Sequence, residues 1–304
     1  MSNKFLITGS SGFIGQNLIS YLNKNQFYPY LITRDELYNF NVSLFSTTPV
    51  IIHLAGKAHD LKKTSNPEDY YEVNSELTKK IYDAFLKSNA KKFIFISSVK
   101  AIGDRVNGLL TEETIPNPQT HYGKSKLMAE QYIQSQPLPE GKSFYILRPC
   151  MIHGAGNKGN LNLLYKVVKK GIPYPLAAFN NKRSFLSVEN LCFIIKELVV
   201  RDDIKSGIYQ VADDEPLSTA EVVSILAKSL NKKPRLWNIS PRLITFLAKV
   251  GDSLHLPLTT ERLAKLTESY VVSNAKIKKA LNKPLPLTSK EGLEFTAASF
   301  SKSV

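Results

Sequence analysis

A tyrosine and a lysine stand four residues apart in the stretch HYGKSK, which runs from His121 to Lys126. On a helix, Tyr122 and Lys126 would share one face. A lysine ammonium beside a phenol favours the phenolate and lowers the tyrosine pKa from its usual value of about 10. Such a tyrosine can take a proton from a hydroxyl, or give one to a carbonyl, while a hydride moves. We therefore predict that Tyr122 is an acid–base catalyst and that Lys126 tunes it.

Spacing alone is not specific, because Tyr165 and Lys169 repeat it. The surroundings differ. The run FISSVKAIG places Ser98 at the end of an apolar strand, about 25 residues before Tyr122. Open α/β sheets bind ligands at that edge. We predict that Ser98 joins Tyr122 and Lys126 as a catalytic group. Tyr165 and Lys169 lack such a strand, and we expect them to form one turn of an ordinary amphipathic helix.

The elements that must position these groups are short buried strands alternating with helices. Candidate strands are KFLIT, YLIT, VIIHLAG, KFIFISS and FYILRP. Asn66 and Pro67 are an expected N-cap and first residue of one intervening helix. This alternation predicts an α/β fold with a doubly wound parallel sheet. Glycines and prolines cluster after Pro149, and helices dominate from there. We expect residues 1–149 to hold the sheet and residues 150–304 to form mostly a second lobe, with segments returning to the sheet.

The run TGSSGFIG places Gly9, Gly12 and Gly15 between the first strand and the first helix. Glycine allows a tight turn and lets backbone N–H groups approach a pyrophosphate at the helix N-terminus. The spacing is G-x-x-G-x-x-G, and its position directly after the first strand favours a dinucleotide site. We predict that residues 1–149 bind a nicotinamide dinucleotide.

The end of the second strand indicates which dinucleotide is bound. An acidic residue there accepts from the ribose 2′-hydroxyl of NAD, whereas an arginine suits the 2′-phosphate of NADP. The run LITRDE has Arg34 at this place, and a guanidinium matches a phosphate dianion. NADP(H) is therefore the preferred expectation. The alternative is that Arg34 is solvated and Asp35 serves NAD(H).

Composition sets further bounds on the 304 residues, whose formal net charge is +14. No apolar run approaches the roughly 20 residues of a membrane span. The first residues resemble no signal peptide, so we expect a cytoplasmic protein. Cys150 and Cys192 form neither a metal motif nor a disulfide framework, and no metal is expected. The lysines occur in scattered pairs, which favours solvated faces over a nucleic-acid-binding stripe. The amphipathic run SPRLITFLAKVGDSLHLPL is expected to pack on the lobe, with peripheral membrane association as the alternative.

Taken together, TGSSGFIG, HLAG, VNSELT, SSVKAIG, YGKSK and RPCMIHG resemble, in order and spacing, the extended short-chain dehydrogenase/reductases of the NAD-dependent epimerase/dehydratase family, which act on nucleotide sugars. The resemblance implies a Rossmann domain with a smaller C-terminal substrate-binding lobe. It assigns Ser98, Tyr122 and Lys126 as catalytic. The cofactor contacts that it implies are Gly9, Ser11, Gly12, Phe13, Ile14, Arg34, Leu54, Ala55, Gly56, Asn74, Tyr122, Lys126 and Pro149.

The same resemblance implies the substrate contacts. Ser98 shares the substrate oxygen. Asn160 and Leu161 match the Asn-Leu pair whose helix start meets the nucleotide diphosphate, in keeping with helix-dipole physics. Arg183 matches the arginine that clamps the diphosphate, and Arg262 is a weaker match to a second, later arginine. For Asn160 a simple helix cap is an equal alternative, and for Arg183 a surface ion pair.

The reaction follows from departures as much as from matches. Sugar-nucleotide 4,6-dehydratases carry an Asp-Glu pair where this chain has Val99 and Lys100, which argues against dehydration. We expect a 4-keto reductase acting on a UDP-linked 4-keto-6-deoxy-HexNAc sugar for surface polysaccharide synthesis, because Arg34 favours NADPH. The alternatives are a 4-epimerase of a UDP-sugar or polyprenyl-diphosphate sugar, and a non-catalytic NAD(P)-sensing protein. A homodimer is implied by the resemblance.

Overall fold

The computed structural model describes residues 5–39, 45, 48–57, 66–105, 108–157, 159–254 and 258–302. The strands are β1 (Phe5–Thr8), β2 (Tyr30–Ile32), β3 (Val50–His53), β4 (Lys92–Ile96), β5 (Leu109–Leu110), β6 (Ser143–Pro149), β7 (Met151–His153), β8 (Phe185–Ser187), β9 (Gly207–Val211) and β10 (Val271–Val272). The helices are α1 (Phe13–Lys24), α2 (Arg34–Tyr38), α3 (Pro67–Tyr71), α4 (Leu77–Lys87), α5 (His121–Ser135), α6 (Asn160–Lys169), α7 (Val188–Val200), α8 (Thr219–Ser229), α9 (Pro241–Leu254), α10 (Thr260–Thr267), α11 (Ala275–Leu281) and α12 (Ser289–Lys302).

Six of the strands form one parallel sheet in the order β2-β1-β3-β4-β6-β9. Strands β1, β3 and β4 are buried along their whole length, as expected where helices cover both faces. On one face, Leu18 of α1 and Leu191 of α7 join the core. On the other, Phe85 of α4 and Ile133 of α5 do so. The predicted doubly wound Rossmann-type architecture is confirmed.

The strand order reverses at β1, which has β2 on one side and β3 on the other. A crevice opens at such a reversal, outside the carboxyl ends of the strands. The glycine turn after β1 and the HLAG turn after β3 therefore meet at this edge. The short spacing between the second and third strands is met by α2, a five-residue helix with Thr33 as its cap. Residues 40–44 and 46–47 of that connection lie outside the described part.

Elements after Pro149 build a second group of cores beside the sheet. Strands β7 and β8 pair with each other, and α6, α8 and α12 share one apolar cluster. Helices α9 and α10 share a smaller cluster. Strand β9 returns to the edge of the main sheet, and β10 pairs with β5. The boundary at residue 149 stays a prediction.

Candidate active site

Helix α5 carries Tyr122 and Lys126 to the end of β4. Thr120 caps the helix by accepting from the Gly123 N–H. Lys126 is buried, and its Nζ donates to the carbonyl oxygen of Ile96 at 2.9 Å. The ammonium also lies 4.8 Å from the ring centroid of Phe95. Burial lowers the pKa of Lys126 to about 8, against a smaller raising effect of Glu130. This ammonium is thus held by backbone and ring, at the edge where the strands end.

The Tyr122 hydroxyl and the Ser98 side chain are hydrogen-bonded partners. Burial raises the pKa of Tyr122, and the hydrogen bond from Ser98 acts in the opposite direction. The Tyr70 ring packs edge-on against Tyr122, with 6.2 Å between centroids. Ser98 follows β4 and caps the short 3-10 turn Val99–Ala101 by accepting from the Lys100 N–H. Ser98 and Tyr122 are therefore in contact, and Lys126 lies one turn further along α5 with its ammonium on the last residue of β4.

Asn74 joins the helix layer to the same site. It lies in a π-helical segment, Glu72–Glu76, between α3 and α4, and it is fully buried. Its amide donates to the Lys57 carbonyl at 3.1 Å and to Ser125 Oγ at 3.1 Å, and it accepts from the Lys57 N–H at 2.8 Å. A Cβ on Gly56 would lie 3.0 Å from Asn74 Oδ1 and 3.1 Å from Lys126 Nζ. Single-turn π segments often occur at functional sites.

The turn after β1 is shaped for a pyrophosphate. Gly9 has φ +72°, and a Cβ there would lie 2.5 Å from the Ala55 nitrogen. A Cβ on Gly15 would lie 2.4 Å from the Gly9 carbonyl oxygen. Helix α1 begins after Gly12 with no side-chain cap and no acidic residue in its first turn. The helix dipole and the exposed N–H groups at this end suit an anion. The chain therefore fits the phosphates of a dinucleotide here.

A buried hydrogen-bond chain, absent from the sequence predictions, runs beneath the turn. Thr8 Oγ1 lies 2.7 Å from His53 Nδ1, and His53 Nε2 lies 3.0 Å from Thr78 Oγ1. The Thr78 hydroxyl donates its proton to the Asn74 carbonyl, so it can only accept from His53 Nε2. His53 Nδ1 is then unprotonated and accepts from the Thr8 hydroxyl. Burial, and then the charge of Lys126, lowers the pKa of His53 to about 3. The chain links the glycine turn to Asn74.

A buried ion pair joins α5 to β6. Glu130, one turn after Lys126, accepts from Arg148 Nε at 3.0 Å and from Ser97 Oγ. Glu130 and Arg148 are both almost fully buried. The i, i+4 spacing from Lys126 was the signal that could have revealed Glu130. The pair fastens α5 to the ends of β4 and β6.

Arg183, expected to clamp a diphosphate, is engaged by protein groups. Its guanidinium donates to the Lys265 carbonyl at 2.5 Å and to the Glu268 carbonyl at 3.1 Å, and it lies 3.4 Å from the Glu268 carboxylate. Lys100 belongs to the same neighbourhood, since its ammonium lies 4.8 Å from the Tyr270 ring centroid. Burial lowers the pKa of Lys100, while Asp104 and Glu268 oppose that shift. The guanidinium thus lies beside the turn that follows Ser98.

The remaining expected contacts are dispersed. Asn160 is the first residue of α6, and the N-cap residue before it is Gly159, which has no side chain to cap the helix. The Leu161 side chain lies in an apolar core. Arg262 is exposed on α10, and Arg34 is exposed at the start of α2. Pro149 is buried at the end of β6, opposite Val211. For Leu161, only the backbone N–H can face a ligand at this helix start.

The repeated spacing at Tyr165 has a different setting. The Tyr165 ring is buried and packs against Phe300, with 5.2 Å between centroids, while Lys169 is exposed. In the described ranges, no group of three His, Cys, Asp or Glu side chains is placed to hold a metal ion. Within those same ranges, no helix is both long and apolar enough to cross a membrane.

Two full-length relatives are similar in sequence. A UDP-glucose 4-epimerase of Vibrio cholerae is 30% identical over 321 residues, covering 99% of this chain and 96% of the relative. An N-acetyl-alpha-D-glucosaminyl-diphospho-ditrans,octacis-undecaprenol 4-epimerase of Escherichia coli O157:H7 is 29% identical over 305 residues, covering 92% of this chain and 86% of the relative.

Solved structures share the fold at lower identity. The UDP-glucuronic acid 4-epimerase of Bacillus cereus, in complex with NAD, superposes with a TM-score of 0.75 at 19% identity, covering 98% of this chain and 99% of that one. RMD of Pseudomonas aeruginosa, complexed with NADPH, superposes with a TM-score of 0.73 at 20% identity, covering 99% of each chain. The model of the NAD dependent epimerase/dehydratase family matches residues 5–212. With these matches and the glycine turn, the chain belongs to the NAD-dependent epimerase/dehydratase family of extended short-chain dehydrogenase/reductases, and it is an enzyme of that family.

Proposed function

We propose that the chain is a sugar-diphosphate 4-epimerase whose acid–base residue is Tyr122. The observation that carries this proposal is the hydrogen-bonded pair Ser98–Tyr122 beside the buried Lys126 ammonium, at the sheet edge where the glycine turn also ends. Two relatives that match nearly the whole chain are 4-epimerases, which supports epimerisation over single-step reduction.

In this mechanism, Tyr122 takes the proton of the sugar 4-hydroxyl and later returns it to the 4-keto oxygen. The bound nicotinamide nucleotide supplies the chemistry of accepting a hydride and giving it back. Ser98 donates to the same sugar oxygen and holds it within reach of the phenol. Lys126, when protonated, stabilises the phenolate by its charge. Burial raises the pKa of Tyr122 and so disfavours loss of its proton. In this mechanism the positive charge of Lys126 opposes that effect of burial.

The diphosphate of the substrate is proposed to meet the start of α6 and Arg183. The N–H groups at Asn160 and Leu161 begin a ten-residue helix with no acid in its first turn, which suits an anion. Arg183 already donates to the carbonyls of Lys265 and Glu268 and has the Glu268 carboxylate as a neighbour, so a diphosphate must compete with these partners. A dianion that accepts two parallel N–H bonds is a stronger partner than one carboxylate oxygen at 3.4 Å.

A second candidate, favoured by one observation, is a 4-keto reductase that uses NADPH. Arg34 is exposed at the first position of α2, directly after β2. The capping box between Thr33 and Glu36 fixes the start of α2, so the backbone that carries the Arg34 side chain is held in place. An arginine in that place is suited to a 2′-phosphate.

Three reactions distinguish the candidates. Purified protein is given UDP-GlcNAc without added cofactor, UDP-4-keto-6-deoxy-GlcNAc with NADPH, or polyprenyl-diphospho-GlcNAc without added cofactor. Interconversion of GlcNAc and GalNAc in the first or third reaction supports the epimerase and identifies the carrier. NADPH oxidation in the second reaction alone would replace it with the reductase.

Binding of NAD and NADP is measured separately by titration calorimetry. If Arg34 selects NADP, Arg34→Ala weakens NADP binding by roughly tenfold while NAD binding is unchanged, since an arginine–phosphate contact of about 1.5 kcal/mol is lost. Equal losses for both cofactors would remove the argument for the reductase.

A further inference from the structure

Helix α9 has an apolar stripe that faces away from the protein. Leu243, Phe246, Leu247 and Leu254 are between 46% and 64% exposed. At 3.6 residues per turn, these four positions fall within one arc about 100° wide. Single exposed apolar side chains are ordinary, but four along one face of a helix mark an interaction surface.

The stripe lies beside the face by which α9 is held. Ile244 and Ala248 are buried and pack with Leu176 and Leu263. Gly251 continues this buried face one turn later. The expected packing of this run on the lobe is thus present, but it uses only part of the helix. The lobe therefore covers only one side of the apolar surface of α9 and leaves the stripe exposed.

Cations flank the stripe on the side opposite the buried face. Arg242 and Lys249 are both exposed and project about 100° away from the centre of the stripe. The acidic residue of this helix, Asp252, accepts from the Thr260 N–H and so is committed to the turn before α10. An apolar stripe edged by cations is the pattern of a helix that lies in a lipid interface.

The segment that precedes α9 contributes to a basic cavity of about 390 Å³. Its lining includes the four cationic residues Lys170, Lys232, Lys233 and Arg235, together with the half-exposed Ile172. Its described lining contains no carboxylate. Such a concentration of positive charge attracts phosphate groups.

The cavity and α9 are joined through one short stretch of backbone. Tyr174 pairs with Arg235 and Trp237 through N–H to carbonyl bonds of 2.8 and 2.9 Å. Leu176, two residues later, packs against α9. Trp237 is 55% exposed and lies in sequence between Arg235 of the cavity and Pro241, the first residue of α9. Tryptophan is enriched where one side of a ring is apolar and the other is wet.

We propose that α9, Trp237 and the basic cavity form a surface that binds an anionic phospholipid bilayer, with the apolar stripe in the headgroup region. The flanking cations favour an anionic bilayer as the occupant. A purely apolar partner offers them no opposite charge, and a second copy of this chain, with net charge +14, repels them. This proposal stands independently of the reaction that the enzyme catalyses.

The test is co-sedimentation of the full chain with vesicles of phosphatidylcholine, with and without phosphatidylglycerol. We expect binding to the anionic vesicles that weakens with salt. Phe246→Gln combined with Leu247→Gln should reduce it by roughly tenfold or more, and so should Lys170→Gln combined with Lys233→Gln. All four positions are exposed, so the fold should survive, and thermal melting checks this.

Ile115→Gln is the matched control, since Ile115 is 86% exposed and precedes α5, outside this surface. Its vesicle binding should equal that of the wild type. Absent binding, equal binding to neutral vesicles, or unchanged binding by the stripe variant would overturn the proposal. Sedimentation velocity tests a second copy of this chain as the competing occupant. An oligomer that is lost only in the stripe variant would assign the stripe to a second copy instead.

Discussion

The ammonium of Lys126 lies 2.9 Å from the carbonyl oxygen of Ile96, the last residue of β4. This bond ties the acid–base helix to the central sheet. It also leaves the charge in a buried place where no carboxylate bonds to it directly among the described groups, since Glu130 is a full turn away. The consequence is a Lys126 pKa of about 8, below the value near 10.5 of an exposed lysine.

Lys126→Met should reveal the unfavourable burial of the lysine charge as a pH-dependent difference in stability. Between pH 8 and pH 10.5 the unfolded chain holds the lysine proton and the folded protein does not, so wild-type stability rises with pH there. Methionine does not titrate. The unfolding free energy of the variant, minus that of the wild type, should therefore fall by about 2 kcal/mol between pH 7 and pH 9.5. Urea denaturation at both pH values measures it.

Lys124→Met serves as the control, because Lys124 is exposed on the same helix. Its stability difference from the wild type should be independent of pH in this range. If both variants gave the same pH dependence, the buried charge would not be its source. Turnover should fall at least about a hundredfold for Lys126→Met and stay unchanged for Lys124→Met.

Tyr122→Phe and Tyr165→Phe test the two identical spacings. Removing the Tyr122 hydroxyl should lower turnover by roughly 10³-fold or more while cofactor binding persists. The Tyr165 hydroxyl is buried, and none of the residues that the structure describes gives it a hydrogen-bond partner. Its removal should leave turnover unchanged and stability equal or higher, since an unpaired polar group is lost. Full turnover in Tyr122→Phe, with a bound cofactor, would instead indicate a sensor protein.

His53→Gln should weaken the dependence of stability on acid. The folded pKa of His53 is about 3, so between pH 6.5 and pH 3 the unfolded chain binds the additional proton and stability falls as pH falls. This lowers the unfolding free energy by about 1.5 kcal/mol between pH 6.5 and pH 5. A glutamine amide can still donate to Thr78 and accept from Thr8, but it does not titrate.

Chemical denaturation at pH 6.5 and pH 5 compares the wild type with His53→Gln and with His121→Gln, a change at an exposed histidine. We expect a smaller acid loss only for the first variant. An equal loss in all three proteins would show that His53 does not stay neutral in the folded state.

Gly9→Ala should be far more damaging than Gly141→Ala. Both glycines have positive φ, +72° and +76°, so alanine is strained at either place. Of the two, only Gly9 brings the added carbon against backbone, at 2.5 Å from the Ala55 nitrogen, whereas no atom of the described residues lies within 4 Å at Gly141. Gly141→Ala should cost about 1 kcal/mol and Gly9→Ala about 3 kcal/mol or more. Denaturation midpoints and NAD binding measure both, and equal costs would contradict the close approach.

Local pattern was sufficient for the parts of the site that follow a strand directly. Short apolar runs predicted β1, β3 and β4, because a strand covered on both faces needs apolar residues at every position. The glycine turn and Ser98 could then be placed at one edge. Asn66 and Pro67 start α3 as predicted. The strand predicted at Tyr30–Thr33 ends at Ile32, since Thr33 becomes a helix cap.

Contacts between distant residues were not accessible in the same way. Glu268 is 85 positions from Arg183, and no periodicity relates them. The hydrogen bonds that join Thr8 to His53 and His53 to Thr78 likewise depend on tertiary packing. The π-helical segment around Asn74 arises inside a run that reads as plain helix. Such features follow from the assembled fold, not from a local preference.

The fastening of α5 has a consequence for how this enzyme can evolve. The bonds that hold Lys126, Glu130 and Asn74 all come from residues between 57 and 148. We therefore expect that mutations in the later helices leave the bonds of Lys126, Glu130 and Asn74 intact. An inherited reaction can then be kept while new substrates are tried, because none of these five bonds uses a residue after Arg148.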